Sequence, residues 1–260
     1  AEGHGKRKEG TVVMMNVWGM TDVGLTRQEN QDAYAVYTDQ DNGFTVGVVC
    51  DGMGGPGGGK LASELAVETF LAVCRERLRA DMSARNVQTV AESAVKEANT
   101  AIYRRSCSDR LRGMGTTLVS AIAWDGQALV SNVGDSRAYR IPAGGGITRI
   151  TRDHSFVERL VERGDITAEE ARRHPNRNLI TRALGPDTGV DSLSDSYLVA
   201  LEPGDYLLLC TDGLVGTATD QEMEREVLHG DNDTCLARLL EIAKAQGAPD
   251  NVTALLLRQQ

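Results

Sequence analysis

Apolar residues recur along this chain with two different periods, and the switches between them mark out its elements. Residues 12–20 and 33–37 read as short strands, and residues 44–50 (FTVGVVC) form a nearly continuous β-branched run, the pattern of a buried strand. A glycine-rich loop follows, and helical spacing then runs from residue 61 to about 78. Val87, Val90, Ala91, Ala94, Val95, Ala98 and Ile102 recur at three- and four-residue steps and predict a second helix with one apolar face. Strands at 116–124 and 128–133 flank Asp125-Gly126, a dipeptide that favours a type I′ hairpin turn. A further strand pair, 137–141 and 147–151, surrounds the glycines at 144–146. Residues 155–185 are rich in Arg and Glu, poor in large apolar side chains, and predicted helical in two short pieces around Pro175. Strands at 196–200 and 206–210, helices at 220–228 and 233–246, and a strand at 252–257 complete the chain.

Strands in runs with helices around them predict an α+β protein in which two mostly antiparallel sheets pack together with helices outside. No internal repeat or Pro/Ser-rich linker divides the 260 residues, so residues 11–260 are expected to form a single domain. Residues 1–10, with His4, Lys6, Arg7 and Lys8, read as a disordered polar tail without the apolar stretch of a secretory signal. No segment approaches the roughly 20 apolar residues of a membrane span.

Charge and cysteine usage narrow the chemistry. A formal net charge of -9 argues against a nucleic-acid surface. The five cysteines, at 50, 74, 107, 210 and 235, form no C-x-x-C pair, which removes zinc-ribbon and dithiol readings and makes a disulfide scaffold unexpected. The histidines at 4, 154, 174 and 229 show no ligand spacing. A reducing, cytoplasmic setting and a monomer are expected.

The carboxylates are the informative residues. Asp51-Gly52 follows the buried strand 44–50, Asp135-Ser136 follows 128–133, Asp212-Gly213 follows 206–210, Asp250-Asn251 precedes 252–257, and Asp32 precedes the strand 33–37. Any one Asp-Gly pair is ordinary turn chemistry, as Asp125-Gly126 illustrates. Five carboxylates at the edges of apolar strands are another matter, because each is costly to desolvate unless a positive charge answers it. Gathered at one end of a sandwich they would form an all-oxygen site for Mg²⁺ or Mn²⁺.

At these residues the chain resembles the metal-dependent type 2C (PPM) protein phosphatases in their compact bacterial form. The motifs run in order from about residue 21 to 255: Thr21-Asp22-Val23-Gly24 with Arg27 and Asn30-Gln31-Asp32; Asp51-Gly52-Met53-Gly54-Gly55; Gly113-Met114-Gly115-Thr116-Thr117; Asn132-Val133-Gly134-Asp135-Ser136-Arg137; Asp153-His154-Ser155; Thr211-Asp212-Gly213-Leu214; Asp250-Asn251-Val252-Thr253. The resemblance implies a four-layer α/β/β/α sandwich with a helical flap near 155–185. It implies hydrolysis of phosphoserine and phosphothreonine in proteins by a water or hydroxide shared between two Mn²⁺ or Mg²⁺ ions, opposing a bacterial Ser/Thr kinase. By that resemblance Asp51 would bridge the two ions, Asp212 and Asp250 would complete the first site, the Gly52 carbonyl with Gln31 and Asp32 would serve the second, and Asp135 with Asp212 would hold a weaker third. Asn251 would support them, and Arg27 would grip the phosphate through its planar fork of donors. In the flap, Arg172, Arg173, Arg177 and Arg182 offer charged forks to phosphorylated segments, and the same stretch reads equally as a solvated helical surface insert.

Two positions depart from the family pattern. Met53 stands where many members carry a candidate proton-donating histidine, which leaves a metal-bound water or His154 as the proton source, with a structural part for His154 preferred. Gln31 stands where others have Glu, so Asp32 would reach the second ion through a water. Two rival functions bear on the same residues. Gly54 to Lys60 fits the start of a Walker A loop, but Leu61 replaces the required Ser or Thr and Asp51 would repel the phosphates. A non-catalytic member of the fold would have lost its aspartates, and all are present.

Overall fold

The structure is a computed structural model that describes residues 15–55, 57–107, 111–187 and 193–260; the expected tail at 1–10 lies outside the described residues. One five-stranded sheet has the order β1 (Met15–Asp22), β11 (Val252–Gln259), β10 (Tyr206–Cys210), β7 (Arg137–Ile141), β8 (Thr148–Arg149). The other runs β2 (Asp32–Asp39), β3 (Phe44–Met53), β5 (Leu118–Trp124), β6 (Gln127–Val133), β9 (Asp195–Ala200), with the short β4 (Gly115–Thr116) also paired to β3. Every strand pairing among the described residues is antiparallel.

Helices α1 (Gly58–Arg77) and α2 (Ala84–Ser106) cover the outer face of the second sheet, where Val46, Val48, Cys50, Leu118 and Ile122 meet Phe70, Val87, Val95 and Ile102. The first sheet is covered by α5 (Asp212–Val215), α6 (Asp220–His229) and α7 (Asn232–Ala245), with Leu208, Leu256, Leu214, Met223 and Leu239 in contact. Between the sheets, Val49, Val119, Ala121, Val130, Leu207, Leu209, Leu255 and Leu257 form a third apolar layer. The central strands are buried on both faces, which is why 44–50 and 206–210 carry nearly continuous apolar runs instead of alternation. The order helix, sheet, sheet, helix is the expected four-layer sandwich.

The local expectations held in most places. Asp125 (φ 43°) and Gly126 (φ 69°) are both left-handed and join Trp124 to its partner Gln127, as a type I′ turn requires. The strand expected at 147–151 shrinks to Thr148–Arg149, and the one-turn helix α5, too short to show a period, was not expected. The flap is a correction. Its helices α3 (Phe156–Glu162) and α4 (Ala168–Arg173) both precede Pro175 instead of flanking it. His174 is extended (ψ 138°), the conformation that a following proline imposes, and turns occupy residues 175–178.

Candidate metal centre

Strand register brings the carboxylates together. Asp51, at the end of β3, is paired directly with Asp32 at the start of β2, and β6 ends beside them at Val133. In the other sheet β10 ends at Cys210 next to the start of β7, and β11 begins at Val252 opposite Asp22. Asp51 and Asp135 thus arrive from one sheet, Asp212 and Asp250 from the other, at the same end of the sandwich. They line a cavity of about 240 Å³ with Arg27, Gln31, Gly52, Met53, Gly54, Thr117, Asn178, Ile180 and Asn251.

Close backbone approaches shape this end. A Cβ on Gly213 would lie 2.0 Å from the Asn251 carbonyl oxygen, so only glycine lets the Asp212 turn reach the Asp250-Asn251 turn. A Cβ on Gly52 would lie 2.1 Å from the Gly59 carbonyl oxygen, and one on Gly59 would lie 2.6 Å from Gln31 Oε1 and 2.7 Å from the Gly52 oxygen. The glycine loop therefore packs the start of α1 against Gly52 and Gln31. Lys60 is half-exposed and faces Glu64 at 4.0 Å, which does not fit a phosphate-cradling lysine.

Asn251 staples the Arg27 loop: its Nδ2 donates to the carbonyls of Val23 (2.9 Å) and Glu29 (3.0 Å), while its Oδ1 accepts from Gln31 N–H (2.8 Å). Gln31 Nε2 donates to Glu29. Arg27, at the mouth, donates to Asp250 Oδ2 at 2.8 Å. Asp32 is absent from the cavity wall. It lies beneath, where its Oδ2 accepts from the hydroxyls of Thr211 (3.0 Å) and Thr253 (2.6 Å). These two threonines were not foreseen, although each sits one or two residues from a site aspartate or asparagine. Nor were Asn178, from the turn after Pro175, and Ile180, from the isolated bridge to Ser155, neither of which has a local signal.

The carboxyls crowd one another. Burial, followed by Asp32, Asp212 and Asp135, pushes the Asp51 carboxyl well above the usual range. Burial raises Asp135 in the same way, with Asp212 and Asp153 adding to it. Burial and Asp250 raise Asp212, while a hydrogen bond with Asp51 and the Arg27 charge pull it back. Asp32 is raised to about 7, chiefly by burial.

The residues present fit divalent cations. Asp212 Oδ1 and Asp32 Oδ1 are buried acceptors without a hydrogen-bond partner among the described residues, a costly arrangement that a cation would relieve. The cavity offers carboxylate, carbonyl and amide oxygens, the donors that Mg²⁺ and Mn²⁺ prefer. Among the described residues no three acidic, imidazole or thiol groups converge as a finished cage. Among the described residues, Arg27 pairs with Asp250 alone of these carboxylates.

Residues 26–256 match the family profile described as Protein phosphatase 2C. The chain belongs to the protein phosphatase 2C family. The serine/threonine phosphatase stp of Listeria monocytogenes serotype 4b (strain F2365) is 38% identical to it over 242 residues, 92% of this chain and 94% of that protein. The crystal structure of the serine/threonine phosphatase Stp1 from Staphylococcus aureus superposes with a TM-score of 0.86 at 35% identity, covering 99% of both chains. The catalytic domain of the serine/threonine protein phosphatase PstP, crystallised in complex with two manganese ions, superposes with a TM-score of 0.79 at 30% identity over 95% of this chain and 99% of that one.

In this type 2C phosphatase the flap arginines fall into two sets. Arg172 and Arg177 line a groove of about 400 Å³ that shares Asp135, Asn178 and Asp212 with the carboxylate cavity, and neither has an ion-pair partner among the described residues. Arg173 pairs with Glu169 (2.9 Å) and Arg182 with Asp195 (2.9 Å), and neither lines that groove.

Proposed function

We propose that this serine/threonine phosphatase hydrolyses phosphoserine and phosphothreonine monoesters at the carboxylate cavity, with Mn²⁺ or Mg²⁺ as cofactor. The carrying observation is the convergence of Asp51, Asp135, Asp212 and Asp250 from two sheets on one cavity, with Arg27 at its mouth and Asp212 Oδ1 buried without a partner. Asp51, Asp212 and Asp250 would hold the principal cations. Gly52, Gln31 and Asp32 would support a second ion, Asp32 from beneath the wall, and Asp135 a weaker third. When bound, such cations supply Lewis-acid charge for the phosphate oxygens and an acidified water near neutral pH.

The chain's own groups do the positioning. Arg27 has further N–H donors beyond the one on Asp250, and its half-exposed guanidinium at the mouth suits the equatorial oxygens of a phosphoryl group. Asn251 and the Gln31 peptide keep its loop rigid. Met53 lines the cavity and has no proton to give. His154 is buried away from the cavity with both ring nitrogens engaged, which supports its structural part and leaves solvent in the cavity as the proton source for the leaving alkoxide.

The substrate chain beyond the phosphoamino acid would follow the adjoining groove past Arg172 and Arg177. Phosphorylated proteins, a cognate Ser/Thr kinase and its substrates are the proposed partners, and the chain acts as a monomer. Among the described residues no helix is long and apolar enough to cross a membrane. Its cysteines are free, four of them buried, which suits a reducing cytoplasm.

The deciding experiment is hydrolysis of p-nitrophenyl phosphate and of a phosphothreonine peptide by purified protein. Turnover should require Mn²⁺ and be abolished by EDTA and by Asp212→Ala. Tight ATP binding with hydrolysis of neither substrate would sink the proposal.

A further inference from the structure

His154 is only 6% exposed and lies on the wall of neither cavity, yet it joins the two parts of the molecule that the catalytic reading depends on. One side of it grips the peptide before Asp135. The His154 backbone N–H donates to the Gly134 carbonyl at 2.8 Å, and the Gly134 N–H donates to His154 Nδ1 at 3.1 Å. Asn132 Nδ2 adds bonds to the carbonyls of Gly134 (3.3 Å) and Arg152 (3.0 Å). Gly134 has φ +102° and no side chain to hold it, so the corner that aims Asp135 is set by these bonds.

The other side of His154 faces the flap. Its carbonyl accepts from Thr181 N–H at 2.7 Å, beside the Ser155–Ile180 bridge that closes the flap's two ends. Its Nε2 lies 3.2 Å from Asp195 Oδ2, and Asp195 Oδ1 accepts from Arg182 at 2.9 Å. A backbone N–H can only donate, so Nδ1 must present its lone pair to Gly134. The ring proton is then on Nε2 and is donated to Asp195; Arg182 Nη1, 3.2 Å from the same nitrogen, can only donate and so makes its hydrogen bond to Asp195 Oδ1 and not to the ring.

We propose that His154 is a positioning residue for the phosphatase reaction: held by Asp195 and Arg182, it fixes the Gly134 peptide that aims Asp135 into the cavity and ties that aim to the base of the flap. The inference rests on the catalytic reading of the cavity. A buried histidine that merely fills space would need neither a ring nitrogen on the Gly134 N–H nor a carboxylate on its far nitrogen.

Two substitutions separate the halves of the device. An asparagine oxygen can stand in for Nδ1 but cannot reach Asp195, whereas alanine loses both contacts. In metal-free protein, His154→Ala should raise Gly134 amide hydrogen exchange by about tenfold or more, and with Mn²⁺ it should lower kcat on p-nitrophenyl phosphate by about tenfold with KM little changed. His154→Asn should recover Gly134 protection and most of kcat. A folded His154→Ala protein with Gly134 deprotected and kcat at the parent value would overturn the proposal. So would a His154→Asn protein with Gly134 protected but kcat as low as in His154→Ala. If His154→Ala does not fold, His154→Asn against the parent carries the test: Gly134 protection and kcat must both stay near the parent's, and protection without turnover refutes it. Parent enzyme without Mn²⁺-dependent turnover would count against the catalytic reading, while the Gly134 exchange pattern would still report on the grip.

Discussion

Asp32 offers a sharp test of the electrostatics at the base of the site. Burial raises its carboxyl, the Thr253 and Thr211 hydroxyls pull it partly back, and Asp212 and Asp250 raise it further, to about 7 against 3.8. A folded-state pKa above the unfolded one means that the native protein holds the proton longer. The associated stability is therefore fully present below about 3.8 and is lost as pH rises through about 7. At about 1.4 kcal/mol per pH unit, the loss is about 4 kcal/mol in cation-free protein. Asp32→Asn cannot ionise. Its amide oxygen can still accept from both threonines, while its NH₂ replaces the unpartnered Oδ1 and forfeits part of the gain. In EDTA, urea unfolding of the two proteins should nearly coincide in stability at about pH 4, and the variant should be more stable by about 2–4 kcal/mol at about pH 7.5. Saturating Mn²⁺ should shrink that advantage, because cations answer the same charge. A difference independent of pH, or a variant less stable throughout, would show that Asp32 stays ionised in the fold and would refute the reasoning.

Other outcomes follow from particular contacts. Arg27→Ala should cost about tenfold to a hundredfold in kcat/KM on a phosphothreonine peptide, the loss of charge-assisted hydrogen bonds to phosphate, with Arg27→Lys restoring only part of it; unchanged kcat/KM would remove Arg27 from phosphate binding. Gly213→Ala drives a methyl into the Asn251 carbonyl and should destabilise by about 1–3 kcal/mol in denaturant melts while displacing Asp212 and lowering turnover. Leu255→Ala, in the fully buried layer between the sheets, should cost about 2–5 kcal/mol with the Mn²⁺ dependence of the remaining folded enzyme unchanged. Reversing charge at Arg172 and Arg177 together should shift preference among phosphopeptides while p-nitrophenyl phosphate turnover stays near the parent value; an equal loss on both substrates would argue against the groove.

Much of this arrangement could be read from the chain because the relevant signals are local. The nearly continuous apolar run at 44–50 announces burial on both faces, and aspartates placed directly at strand ends come together once antiparallel pairing is assumed, as the register of Asp32 with Asp51 shows. The signals fail where long-range contacts decide. Nothing near Arg182 in sequence distinguishes it from Arg177, yet Asp195 claims one and leaves the other on the groove. Asp32 looks like a ligand from its neighbours Asn30 and Gln31, and only the meeting of the two sheets shows that two threonine hydroxyls take its Oδ2. In the flap, Pro175 suggests a break between two helices, whereas both helices end before it.

The bonds of Asp32 also bear on how the halves of the sandwich stay in step. It belongs to one sheet, whereas Thr253 lies in the other and Thr211 directly follows a strand of it. The layer between them is Val, Ala and Leu, and apolar contact has no preferred direction, so a small slide would forfeit little of it. A slide would, however, strand one carboxyl oxygen and two hydroxyls out of reach of water. This three-residue rivet makes alignment, more than adhesion, the property that the site end supplies. The inner layer can therefore drift among similar aliphatic side chains over evolutionary time, while the residues that set its alignment cannot.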